Sequence, residues 1–554
     1  MMSQANSLAQ ETFRILKPFW WQVALSVILG IASGLSVTAL LACINDALNI
    51  NEPPTIRMAL FFAGLCILTV LSATLSHLLT NYIGQWVVSG LRRDLSAKVL
   101  VAPIEQLERY RSHRLIPVLL TDVETISTFA LSVAPMIISF TVTLGCLIYL
   151  TMLSWQILII TLATLVLGTG AQYIARYFGM KHILSARNGE DELQSYYQAI
   201  SAGAKELRIQ RKRRQHMLEE QIHGTVDLIC QSNIRAANIF ISAETFGSIL
   251  FFAVIGVSIA FQAIWSSTDK TILGGFVLVM LYMKGPLEQL VNTIPIISRA
   301  KIAFQRIAEL SWRFSSPEPH LLTSDQPLAI EQPQRIELCN VCYDYPIVPG
   351  SEPFRLGPVN LTIERGEILF IVGENGCGKT TLIKLLLGLY TPHRGEIRLN
   401  GQPVAPEHRD DYRQLFTTIF ADYYLFDKPM HGQMIASIDV EKYLQRLDLA
   451  HKVSIHDGAF TTTDLSTGQR KRLALINAWL EERPILIFDE WAADQDPAFR
   501  RVFYTELLPE LKAQGKMIIV ISHDDRYFNV ADHLIHMQDG QAITERSKQT
   551  AQPA

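Results

Sequence analysis

Gly373-Glu-Asn-Gly-Cys-Gly-Lys-Thr-Thr381 lies between an apolar run, Ile368–Val372, and an apolar-periodic run, Leu382–Tyr390. That order predicts a glycine-rich loop joining a buried strand to a helix. The spacing G-x-x-x-x-G-K-T fits a loop whose backbone N–H groups wrap phosphate oxygens at the positive end of that helix. Gly373, Gly376 and Gly378 let the backbone approach a ligand without Cβ clashes, and Asn375, Cys377 and Thr381 complete the loop. Lys379 is expected to reach the outer phosphates, and the Thr380 hydroxyl to ligate Mg²⁺.

Working outward, 554 residues imply several domains, and 49% hydrophobic content settles nothing alone. The distribution is more informative, because long uncharged stretches fill the first 300 or so residues and soluble α/β patterning follows. A net charge of −3 gives no whole-chain argument for nucleic acid, and no nucleic-acid partner is expected. Seven scattered cysteines, with Cys339 and Cys342 as a lone C-x-x-C, read as reduced packing residues. The polar segment Met1–Lys17 and the long apolar run after it read as a retained span rather than a signal peptide.

A helix needs about 20 apolar residues to cross a bilayer. Phe19–Ile44, Met58–Val88, Phe129–Leu153, Trp155–Ala175 and Ile239–Trp265 meet that length. A sixth span, Ile272–Ile297, takes in Lys284, Pro286 and Glu288. Ser154 alone separates spans three and four, which predicts a tight hairpin. Lys and Arg concentrate before span one and in the second–third and fourth–fifth connections, so both chain ends are expected to be cytoplasmic. Those long connections are read as helices continuing beyond the membrane. The basic run Arg211–Arg214 reads as a solvated helix face or a headgroup contact, and the alternative makes Gly203–Gln215 a short helix touching the C-terminal domain. Glu244, Lys284 and Glu288 are ionisable groups at membrane depth. They either line a transport pathway or, for Lys284 and Glu288, pair on one helix face.

These patterns divide the chain into a six-helix transmembrane domain over 1–314, a proline-rich linker over 315–334, an α/β domain over 335–542 and a tail over 543–554. In the α/β domain, Arg335–Tyr345 alternates like an edge strand. Pro484-Ile-Leu-Ile-Phe-Asp-Glu490 is an apolar strand ending in two acids, which suggests a site. Asp489 is expected to hold Mg²⁺ and Glu490 to polarise an attacking water. Leu465-Ser-Thr-Gly-Gln469 precedes a helical run. Ser466 there is either a helix cap or, with Thr467, Gly468 and Gln469, part of a second anion-binding helix head. Ile518–Ile521 is a further strand ending at Ser522-His523, and His523 is placed to sense a γ-phosphate.

The ordered set of phosphate loop, Leu-Ser-x-Gly-Gln, Ile-Leu-Ile-Phe-Asp-Glu and Ser-His resembles the nucleotide-binding domain of ATP-binding cassette (ABC) transporters. With the preceding spans, the whole chain resembles an exporter-type half-transporter. Asp489-Glu-Trp-Ala-Ala-Asp-Gln-Asp-Pro497 and Ser522-His-Asp-Asp-Arg-Tyr-Phe528 resemble a narrower branch. That branch is the exporters of cyclic peptides and peptide siderophores of the YojI, pyoverdine and syringomycin type, and the YojI type looks especially close. The resemblance implies a P-loop ATPase fold, ATP and Mg²⁺ as cofactors, and a homodimer in the bacterial inner membrane. It further implies Tyr345 stacking on adenine, and Ser466 and Gly468 binding the ATP held by a partner's Lys379. Asp496 would lie at the dimer interface, and His523 would act as a switch. The glutamine usual in the family falls near Ala421, so Asp422 is the expected substitute near Mg²⁺. Cys377 also departs from the small or hydroxyl residue usual in the loop. The reading is ATP-driven export of a peptide-like cargo. A lipid flippase, a siderophore importer or a cargo-free regulatory ATPase are the alternatives.

Overall fold

A computed structural model describes residues 19–49, 55–110, 112–264, 270–314, 318, 321, 332–345, 354–426, 437–456 and 459–545. The chain forms two compact units, Met1–Ser96 with Arg114–Leu310, and Ala97–His113 with Ser311–Ala554. The second unit thus includes a segment that the sequence reading assigns to the membrane half. Met1–Lys17, most of the proline-rich linker and the last residues of the tail lie outside the described residues.

The first unit is helical. Its long helices are α1 (Trp20–Asn49), α2 (Ile56–Leu100), α4 (Val123–Leu153), α5 (Trp155–Ala202), α8 (Gly224–Ile264) and α9 (Lys270–Arg313), and α2 and α9 run on into the second unit. Among the described residues, five helical segments are long and apolar enough to cross a membrane: Trp20–Leu48, Ile56–Leu100, Leu115–Leu153, Leu158–Ala202 and Arg211–Ala260. The sixth expected span falls on α9, a continuous helix despite Pro286 and Pro295, whose apolar stretch Lys284 and Glu288 interrupt. The hairpin at Ser154 forms as expected, because that residue takes an extended conformation (φ −167°) between two helices. Helices α2, α5 and α8 extend well past their apolar stretches, as the long connections require.

Small and hydroxylated residues set the helix contacts. Ser26 Oγ lies 2.7 Å from Thr80 Oγ1, and Ser36 Oγ 2.8 Å from Thr69 Oγ1, stitching α1 to α2. In an apolar medium such groups must find partners within the protein. Between α1 and α4 the fit is closer still. A Cβ on Gly34 would fall 2.6 Å from Thr141, and one on Gly145 2.3 Å from the Thr38 hydroxyl. Helix α5 packs along α8 in the same way, with Gly179 against the Phe240 ring.

The second unit carries a six-stranded sheet. Its strands are β3 (Ile368–Gly373), β5 (Phe416–Ile419), β6 (Ile485–Asp489), β7 (Met517–Ile521), β8 (His533–Gln538) and β9 (Gln541–Glu545), ordered β9-β8-β3-β7-β6-β5. All pairs are parallel except β8–β9. The parallel strands are almost wholly apolar because both faces are buried, one against the helices Ser437–Arg446 and Thr467–Glu481, the other against the helix Lys379–Leu386 and the strands Arg335–Asp344 and Arg355–Glu364. A second, antiparallel sheet has β1 (Arg335–Asp344) between β2 (Arg355–Glu364) and β4 (Arg394–Leu399). The expectation of an edge strand at Arg335–Tyr345 is therefore wrong. Alternation reports one buried face, and β1 has that face while both its edges are paired.

Candidate functional site

Three neighbouring parallel strands, β3, β7 and β6, deliver their C-terminal ends to one edge of the sheet. That edge is where ligands bind in open α/β sheets. Strand β3 ends in the glycine-rich loop, which passes into α10 (Lys379–Leu386). Gly378 caps α10 with φ 103°, a left-handed value that explains a glycine there. The Lys379 ammonium, 6% exposed, donates to the carbonyls of Gly373 (2.8 Å) and Glu374 (2.9 Å), so it is held at the loop. A cavity of about 410 Å³ opens beside it, lined by Tyr345, Phe354, Asn375, Gly376, Gly378, Lys379, Thr380, Thr381 and Glu490. The size suits one small organic ligand, and the loop supplies phosphate-directed donors. The Tyr345 hydroxyl lies 3.1 Å from Thr381 Oγ1, and its ring meets Phe354 edge-on, leaving an aromatic wall at the cavity. Cys377 differs from its expected role as a contact. Its side chain is buried beneath the loop and does not line the cavity.

Asp489 ends β6 and is 3% exposed. Burial pushes its carboxyl above the usual range, Glu490 and Asp422 add to this, and the Ala421 backbone N–H opposes it. Ala421 and Asp422 thus face Asp489 from the turn after β5, although neither lines the cavity. Glu490 has φ 49° and its N–H donates to the Ile521 carbonyl at 3.1 Å. One Glu490 carboxylate oxygen lies 3.2 Å from His523 Nε2. A carboxylate facing the cavity, oriented by an imidazole from the next strand, is suited to accept a proton from a water attacking a phosphate. Among the described residues no three His, Cys, Asp or Glu side chains gather to hold a metal. A Mg²⁺ shell takes a hydroxyl, one or two carboxylates and substrate phosphate oxygens, of which Thr380 can offer the hydroxyl and Asp489 a carboxylate.

Ser466 caps α11 (Thr467–Glu481) and forms a reciprocal box with Gln469, so the capping role is real. Ser466 and Thr467 are nonetheless exposed, and Ser466–Gln469 do not line the chain's own cavity. Asp496 caps the short helix Pro497–Val502 by accepting from the Phe499 N–H at 2.8 Å. That bond first, and then Arg472, holds its carboxyl below the usual range.

Sequence reasoning missed α3 (Ile104–Tyr110), part of the second unit. Glu108 accepts two bonds from Lys384 of α10 (2.8 and 3.0 Å) and one from the Tyr390 hydroxyl, while Glu105 accepts the Thr391 N–H at 3.2 Å. Burial and Glu108 both push the Tyr390 phenol up. The short helix is thereby fixed to the helix that carries the phosphate loop. Pro103 just before a seven-residue segment with two acids was the available signal. The single helix of the alternative reading over Gly203–Gln215 is instead two, α6 (Ala204–Ile209) and α7 (Arg211–His216), broken at Gln210. In the first unit, Lys284 and Glu288 pair at 3.7 Å, so the same-face pairing occurs. Ser248 reaches Glu288 at 3.5 Å, the Lys284 ammonium sits 5.7 Å from the Phe252 ring centre, and Glu244 is exposed.

Residues 356–493 match the model of the ABC transporter family, and residues 19–283 match its transmembrane region. A relative from Pseudomonas syringae pv. syringae, the ATP-binding protein SyrD, is 34% identical over 96% of both chains. The chain belongs to the ABC transporter family. An ATP-dependent lipid A-core flippase of Alkalilimnicola ehrlichii is 24% identical over 97% of this transporter and 93% of its own length. A bacterial Atm1-family ABC exporter shares the fold, with TM-score 0.71 at 16% identity over 95% and 94% of the two chains. This ABC transporter therefore joins a helical membrane region to an ATPase domain and couples ATP hydrolysis to transport.

Proposed function

We propose that two copies of the chain form an exporter in the bacterial inner membrane that carries a cyclic peptide or peptide-derived siderophore outward. The observation that carries the two-copy reading is the exposed head of α11. Ser466 and Thr467 are exposed and Ser466–Gln469 do not line the cavity of their own chain, which leaves them available to a second copy facing it head-to-tail. Tyr345 stacks on adenine, Lys379 and the loop amides hold the phosphates, and Asp496 lies at the seam. Thr380 and Asp489 hold Mg²⁺, with Asp422 completing its surroundings where the usual glutamine is absent. Mg²⁺ neutralises phosphate charge there. Glu490 orients and deprotonates the attacking water, and His523 holds Glu490 in register. The spans number six, with α9 as the sixth, and both chain ends are cytoplasmic because Lys and Arg cluster on those connections. Lys284, Glu288 and Glu244 face the cargo path.

The peptide reading rests on the likeness of Asp489–Pro497 and Ser522–Phe528 to cyclic-peptide exporters. A second reading, lipid flipping, is favoured by the similarity to lipid A-core flippases. Reconstituted vesicles distinguish the two. A cyclic peptide should stimulate ATP hydrolysis and accumulate in inside-out vesicles. Stimulation by lipid A-core alone overturns the peptide reading, and an absence of movement of either cargo overturns both cargo readings.

A further inference from the structure

Lys471 lies on the second turn of α11 and is 1% exposed, the most deeply buried charged side chain among the described residues. A buried ammonium is costly unless every donor is engaged. Its Nζ donates to the backbone carbonyl of Glu490 at 2.9 Å and to Asp494 Oδ2 at 2.8 Å. In the reverse direction, the Trp491 indole N–H donates to the Lys471 carbonyl at 2.8 Å. The first turn of α11 is joined to the same segment. Gln495 Nε2 donates to the Gly468 carbonyl at 3.0 Å, and a Cβ on Gly468 would fall 2.6 Å from the Asp494 carbonyl oxygen. The two stretches therefore cannot shift independently.

Glu490 needs such support. Its φ of 49° is left-handed, a conformation a glutamate holds only when its surroundings impose it. The Ile521 carbonyl fixes its N–H, and Lys471 fixes its carbonyl. We propose that Lys471 is a positioning residue that ties the backbone of Glu490 to the helix whose head receives the nucleotide held by the second copy. Contact at the head of α11 then sets the orientation of Glu490 toward the nucleotide of its own chain, and the two sites hydrolyse in concert. This rests on the two-copy reading above.

The test uses the full-length chain in lipid nanodiscs, comparing wild type with Lys471→Met and Lys471→Gln. Met matches the stem and removes the donor, whereas Gln keeps an N–H donor. For Lys471→Met, kcat should fall about tenfold or more with the KM for ATP within about twofold, and the Hill coefficient should drop toward about 1. Lys471→Gln should recover part of both. If Lys471→Met does not fold, Lys471→Gln carries the same measurement, with an intermediate kcat at unchanged KM as the expected result. Wild-type kcat and Hill coefficient in either variant overturn the proposal. So does a parallel fall in kcat, nucleotide affinity and melting temperature, which marks a merely structural role. A wild type that is fully active and non-cooperative as a single copy defeats the two-copy reading instead, while the split between kcat and KM still reports the hold on Glu490.

Discussion

Asp489→Asn should stabilise the nucleotide-free protein while abolishing its turnover. The carboxyl is 3% exposed, and burial is the largest of the influences that raise it above its ordinary value of 3.8. Stability linked to a raised acid is full below that ordinary value and is lost as pH rises through the folded value. As pH rises, the wild-type chain without Mg²⁺ therefore takes on a charge that its surroundings disfavour. The asparagine is nearly isosteric, keeps an oxygen for the Ala421 N–H, and removes the charge. Desolvating a carboxylate costs several kcal/mol, and the Ala421 N–H and the nearby Lys471 charge offset part of it, leaving roughly 1–2 kcal/mol to recover. For a domain of this size that corresponds to a rise of roughly 2–8 °C in melting temperature. Differential scanning fluorimetry of the full chain in EDTA provides the measurement. Asp489→Asn should melt higher at pH 7.5, the gap should narrow as pH falls toward 3.8, and saturating Mg²⁺ with ATP should favour wild type instead. A variant that melts below wild type in EDTA at pH 7.5 refutes the reasoning.

Glu490→Gln should bind ATP with near wild-type affinity yet hydrolyse it about a hundredfold or more slowly, read by single-turnover assay. Near-normal turnover removes Glu490 from its role. Glu108→Gln removes the charge opposite Lys384, a partly exposed pair worth about 1 kcal/mol. Cargo-stimulated transport should fall about fivefold with basal hydrolysis within about twofold, and an equal fall in both would place Glu108 in hydrolysis itself. Because Cys377 is buried under the phosphate loop, thiol reagents should inactivate the nucleotide-free protein slowly, and ATP should protect it. Equal labelling rates with and without ATP would show that the loop does not gate the thiol.

The phosphate loop, Asp489-Glu490, the Ser466 cap and His523 were legible because each is a short run whose chemistry depends on neighbours in sequence. The Ser154 hairpin was legible for a similar reason, since one residue between two long apolar runs leaves little choice. Long-range contacts left no comparable trace. Glu108 meets Lys384 and Tyr390 across more than 270 positions, and seven residues of helix between two longer ones carry too weak a periodicity to stand out. The buried face of β1 was visible in its alternation, but its two paired edges were not, because edge pairing is made by backbone groups common to every residue. Cys377 was placed in the loop correctly, yet its inward direction depends on the turn that the flanking glycines allow. Lys471 looked like any basic residue on a helix, and only the fold shows its ammonium capping the backbone of Glu490.

The near-contact of α1 and α4 at Gly34 and Gly145 has a mechanical meaning. With threonine methyl and hydroxyl groups seated where side chains would otherwise keep two rods apart, sliding or prying there would open voids that nothing fills. The two rods behave as a single beam. Any swing of the membrane-spanning region must therefore be taken up at looser joints elsewhere, and a bulky residue at either glycine would wedge the beam open.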